Sequence, residues 1–72
     1  MDKPTFYEIR VKGHLEATWA DWFAGLAIAN QTDGEAVLSG RIQDQAALQG
    51  VLSRISSLGL ALISVNAVPD QD

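Results

Sequence analysis

Alternation governs the start of the chain. In "TFYEIRVKG" (residues 5–13), Tyr7, Ile9 and Val11 fall on one side of an extended backbone and Glu8, Arg10 and Lys12 on the other. This predicts a strand with one covered and one wet face. "THR-x-x-ASP" spacing then places Thr18 and Asp21 as an acidic capping box, and Gly25 stands where a left-handed residue ends a helix. A short two-turn helix is expected there, with Trp19 and Phe23 on one face and Trp22 beside Trp19. "LAIANQ" (26–31) and "EAVLSGRI" (35–42) flank "TDG", the turn chemistry of a hairpin. From 44 to 58, Leu48, Val51, Leu52, Ile55 and Leu58 recur at helical spacing. Asp44 is the natural N-cap of that helix, Gly59 its C′ residue, and Leu60 is placed to touch Ile55 in a Schellman end. "LALISVNAV" (60–68) reads as a last strand, apolar on both faces and stopped by Pro69.

The order is β-α-β-β-α-β. Two right-handed crossovers joined by a hairpin predict an α+β, ferredoxin-like sandwich. Its four-stranded antiparallel sheet, order 4-1-3-2, carries two helices on one face. The whole of 1–72 is expected to form one domain, with 1–4 and 69–72 frayed.

Composition narrows the function classes. Leu, Val, Ile and Phe supply 20 of 72 residues, enough for a folded core, but a chain this short has a thin stability margin. Cysteine is absent and histidine occurs once, so neither disulfides nor a structural zinc is expected to supply the missing stability. Self-association is the remedy left, a homodimer first of all. No signal peptide or membrane span is read, so the expected location is the cytoplasm. A net charge of −4 speaks against nucleic acid and anionic membranes as partners.

The candidate ligand or interface residues are Arg10, Lys12, His14, Trp19, Trp22 and Arg41. Arg10, Lys12 and Arg41 gather on the sheet face away from the helices, which reads first as a solvated face with cross-strand pairs such as Glu8 opposite Arg41, next as a self-association face to which the last strand adds apolar side chains, and last as an anion or nucleic-acid site. His14 reads as an exposed turn residue, and at least two of Trp19, Trp22 and Phe23 are expected in the core. No catalytic or metal-ligating set and no cofactor is implied. The third strand has no aromatic residue, so RNA stacking is disfavoured. Gly40 in a strand and Gly50 in a helix suggest close backbone approach, with a bulge at 40.

Three resemblances follow from these stretches. "NQTDGEAV", with Gly13 near the end of the first strand, resembles the acylphosphatases, and the likeness implies Asn30 as their catalytic asparagine. Their phosphate loop requires an arginine to clamp the anion bidentately, and "GHLEATWADWF" has none, which removes the main reason to expect that activity. In length, element order and a glycine before the first helix the chain resembles regulatory ACT domains, whose likeness implies an amino-acid site at a dimer interface. "YEIRVKGHL", "WADWF", "GEAVLSG" and "DQAALQGVLSRISSLGL" together resemble a set of small uncharacterised bacterial proteins with no activity to transfer. The expectation is a self-associating module that binds a protein partner or a small ligand without catalysis. The alternatives are an ACT-like sensor or an enzyme whose pocket forms between subunits.

Overall fold

The computed structural model describes residues 4–23 and 25–69. Strands β1 (Thr5–Lys12), β2 (Ala27–Asn30), β3 (Glu35–Ile42) and β4 (Ala61–Val68) form one antiparallel sheet, with helix α1 (Gln45–Ser57) between β3 and β4. The order is β2-β3-β1-β4, so β1 lies between β3 and β4; counted from the β4 edge the neighbours run 4-1-3-2. The protein is thus α+β with an open four-stranded sheet.

The first crossover holds no α-helix, contrary to expectation. Ala17–Phe23 is a 3-10 helix, leaving α1 as the single α-helix among the described residues. The reason is reach combined with weak propensity. At about 2.0 Å rise per residue, a 3-10 stretch covers a third more distance than an α-helix of equal length. Thr, Trp, Phe and Asp in "ATWADWF" are middling helix formers that do not insist on the α form. The chain leaves with Gly25 at φ 78°, its amide donating to the Ala20 carbonyl at 2.8 Å.

α1 follows local rules at both ends. Asp44 accepts from the Ala47 amide at 2.8 Å, as an N-cap should. At the other end Gly59 is left-handed (φ 74°), its amide donates to Ser56, and the Leu60 amide reaches back to Ile55. That pair of bonds is a Schellman end. The β2–β3 turn is equally local: Gly34 is left-handed (φ 89°) and Asp33 accepts from the Glu35 amide at 3.0 Å.

The core lies on one side of the sheet. A single apolar row crosses all four strands, Ile28, Leu38, Ile9 and Val65, because each stands opposite the next in register. Leu48, Val51 and Ile55 of α1 close over it together with Phe23 and Leu26 from the first crossover, so both crossovers cover the same face. Phe23 is fully buried, worth about 2–3 kcal/mol of transfer free energy.

The glycines divide. A Cβ on Gly40 would meet Leu26 Cδ2 at 2.8 Å, so close approach is real there, but Tyr7–Gly40 pairing is regular and no bulge interrupts β3. The irregularity falls on β4 instead, between the partners of Arg10 and Val11, where residue 63 is extra. A Cβ on Gly50 would meet nothing within 4 Å beyond its own stretch of helix, so no neighbour demands a glycine in α1. Of the termini expected to fray, residues 1–3 and 70–72 lie outside the described residues.

Candidate functional site

The sheet face away from α1 is built by alternation. Phe6, Glu8, Arg10 and Lys12 project from β1, since their neighbours Tyr7, Ile9 and Val11 turn to the core. β3 contributes Glu35, Val37, Ser39 and Arg41, standing opposite Lys12, Arg10, Glu8 and Phe6 respectively. The expected Glu8–Arg41 opposition is therefore two residues out of register. The ion pair on this face is diagonal, Arg10 Nη1 to Glu35 Oε1 at 3.3 Å. Half exposed, such a pair contributes at most about 1 kcal/mol. Val37 is buried on this face although it is no part of the core cluster, beside Arg10 on β1 and Ala29 on β2.

The candidate residues scatter. Arg10, Lys12 and Arg41 share the open face. His14 sits beyond the end of β1, where its Nε2 donates to the Gln31 carbonyl at 2.7 Å, tying the first crossover to the hairpin. Trp19 and Trp22 belong to the helical side of the molecule. There the 3-10 turn, with three residues per revolution, stacks them edge to face at 5.4 Å between centroids. Trp19 is half-buried against the core, whereas Trp22 is exposed with the Arg54 guanidinium 5.8 Å from its ring centroid. Of the three aromatics in "WADWF", two thus serve the core. The sheet cations and Trp19 thus lie on opposite sides of the sheet.

Asn30 is engaged elsewhere than the acylphosphatase likeness implies. Its Oδ1 accepts from the Leu15 amide at 2.9 Å and its Nδ2 donates to the Leu15 carbonyl at 2.8 Å. Both ends of the amide imitate a strand partner and pin the loop after β1. The Oδ1 acceptor and one of the two Nδ2 hydrogens are thus committed to Leu15. Among the described residues no three His, Asp or Glu side chains come together as a metal site, and no helix is long and apolar enough to cross a membrane.

The exposed aliphatic residues point to a place absent from the candidate set. Leu62 and Ile63 are 48% and 46% exposed, and Val68 and Phe6 38% and 36%. Three of the four lie on β4, and Phe6 stands opposite Val68 on the adjacent strand. β4 is an edge strand of eight residues, "ALISVNAV", with no charged side chain. Edge strands usually carry charge, proline or a bulge to block pairing with another chain. β4 has only its bulge at one end and Pro69 just past the other. On the same strand the Ser64 hydroxyl is buried without a hydrogen-bond partner among the described residues.

The arrangement defines a small α+β protein with an open sheet whose long β4 edge carries no charged side chain. The chain belongs to a family described as a domain of unknown function, DUF8691, whose model matches residues 6–66. No curated protein and no solved structure matches the chain.

Proposed function

We propose that this protein is an interaction module that works by binding protein surfaces, first of all its own copies, and not by transforming a substrate. The observation that carries this reading is the gathering of exposed Leu62, Ile63 and Val68 on an uncharged edge strand. An open row of backbone donors and acceptors flanked by aliphatic side chains is a surface that gains by being covered. The polar groups support the same reading. Asn30, His14 and Asp33 hold loops and turns, and Arg10 holds Glu35. The bacterial origin and cytoplasmic setting expected from the sequence go with this proposal.

Sedimentation equilibrium over a range of concentrations tests it. The reading expects a mass above the 7.7 kDa of one chain that falls toward 7.7 kDa on dilution. A mass of 7.7 kDa at every concentration refutes it.

A further inference from the structure

Resting on that reading, we infer that two copies pair through β4, antiparallel, with Val65 on the two-fold axis, forming one continuous eight-stranded sheet. Three independent features of β4 select this register over its neighbours.

Side-chain parity is the first. In antiparallel pairing, opposed residues point to the same face. From Ser64 to Val68 the strand alternates regularly, Val65 and Ala67 opposite the core residues Ile9 and Tyr7, Ser64, Asn66 and Val68 opposite Arg10, Glu8 and Phe6. A two-fold axis must then pass through a residue and not between two, or a core-facing side chain would oppose an outward one. Ser64, Val65 and Asn66 are the central choices.

Charge decides among them. β4 itself is uncharged, so the nearest charges in line are those of β1: Arg10 beside Ser64, Glu8 beside Asn66. An axis on Ser64 would align Arg10 with Arg10 of the second copy. An axis on Asn66 would align Glu8 with Glu8. With the axis on Val65, Arg10 and Ser64 of one copy continue into Asn66 and Glu8 of the other, twice over by symmetry. Opposite charges then share each row, about 14 Å apart between backbones, within reach of a Debye length once long side chains lean inward. Only this axis is self-complementary.

Apolar fit is the third feature. The same register brings the Val65 side chains of the two copies together across the axis on the core face. It also extends the core row without a break: Ile28, Leu38, Ile9 and Val65 meet Val65, Ile9, Leu38 and Ile28 of the second copy. Ser64, whose hydroxyl lacks a partner within one copy, comes to stand opposite the Asn66 amide of the other. A turn about its first side-chain torsion would bring the two together. The bulge at residue 63 keeps the pairing short, so the dimer should dissociate on dilution.

The chain lacks cysteine, which makes the register directly testable. Val65→Cys places two thiols at the axis, where antiparallel partners have Cα atoms about 4.5–5.5 Å apart, inside the range a disulfide spans. Mild oxidation of Val65→Cys should give a covalent dimer in high yield, whereas Ser64→Cys and Asn66→Cys alone should not. The double variant Leu62→Lys, Val68→Lys, changed only at exposed positions, should sediment as a monomer with an unaltered circular dichroism spectrum. A wild-type dimer which links through Ser64→Cys or Asn66→Cys in preference to Val65→Cys overturns the register, and one whose mass survives the two lysines overturns pairing through β4, while both leave self-association standing. A wild-type monomer overturns self-association as well. Should Val65→Cys fail to fold, mixing Ser64→Cys with Asn66→Cys chains decides: this register sets the two thiols opposite each other and expects a linked mixed dimer, and its absence overturns the register.

Discussion

Adding one methyl group at Gly40 should destabilise this protein more than any surface change. The Cβ would lie 2.8 Å from Leu26 Cδ2 and 3.7 Å from the Leu26 Cα, and the backbone there has φ 156°, a conformation side-chain-bearing residues rarely adopt. Leu26 is 2% exposed and belongs to the core cluster, so its side chain has little room to swing aside. Overpacking of this kind costs about 1–3 kcal/mol, and backbone strain adds a similar amount when it cannot relax. We expect Gly40→Ala to lose at least about 2 kcal/mol, against a total stability of about 4–11 kcal/mol for a chain of this length. At roughly 6 °C per kcal/mol, Tm should fall by about 12 °C or more. Thermal unfolding followed by circular dichroism measures this, with protein concentration held fixed because association raises Tm by mass action. Gly50→Ala is the internal control: the site is open and helical, so the same methyl should stabilise by about 0.5–1 kcal/mol. Combining Gly40→Ala with Leu26→Ala should show coupling of about 1 kcal/mol or more in favour of the pair, since the second change makes room for the first. A Gly40→Ala protein as stable as wild type, or a double variant whose losses simply add, refutes the steric account.

Other outcomes follow from the same contacts. Asn30→Ala removes two hydrogen bonds that stand in for a strand partner, and should cost about 2–3 kcal/mol in urea unfolding; a loss below about 0.5 kcal/mol would show the Leu15 contact to be idle. Asp44→Ala deletes the α1 cap and should cost about 1 kcal/mol by the same measurement, with no change in mass by light scattering. Glu35→Gln breaks the half-exposed pair with Arg10 and should cost less than about 1 kcal/mol, shrinking further in high salt; a larger, salt-independent loss would mean Glu35 does something other than pair.

Features fixed by neighbours along the chain are legible in the sequence. Asp44, Gly59 and Leu60 act within one turn of α1, and the cap and the Schellman end stand where those residues put them. Gly34 and Asp33 shape the hairpin for the same reason. The first crossover is different. Trp19 and Trp22 are three residues apart, a spacing that suits both a 3-10 and an α turn, and the distance to be bridged between β1 and β2 is a tertiary quantity. Register is tertiary too: alternation tells which face Glu8 and Arg41 share, but only the β1–β3 pairing shows that Arg41 stands opposite Phe6. A lone glycine is ambiguous, as Gly40 and Gly50 demonstrate by differing in what surrounds them. The expected order 4-1-3-2 already puts the last strand at an edge, and its pattern reads as apolar on both faces. What the sequence withheld is which side chains of "ALISVNAV" the core leaves uncovered, because that depends on the bulge at residue 63 and on what α1 reaches.

The claim that the β4 edge is the binding surface is tested most directly by amide hydrogen exchange on the wild-type chain at high and at low concentration. Within one copy β4 pairs with β1 on one side alone, so its outward amides from Ser64 to Val68 should exchange fast when dilute and slow when concentrated. The β2 edge should be indifferent to concentration. Equal exchange of the β4 amides at both concentrations, while the mass changes between them, would contradict the account.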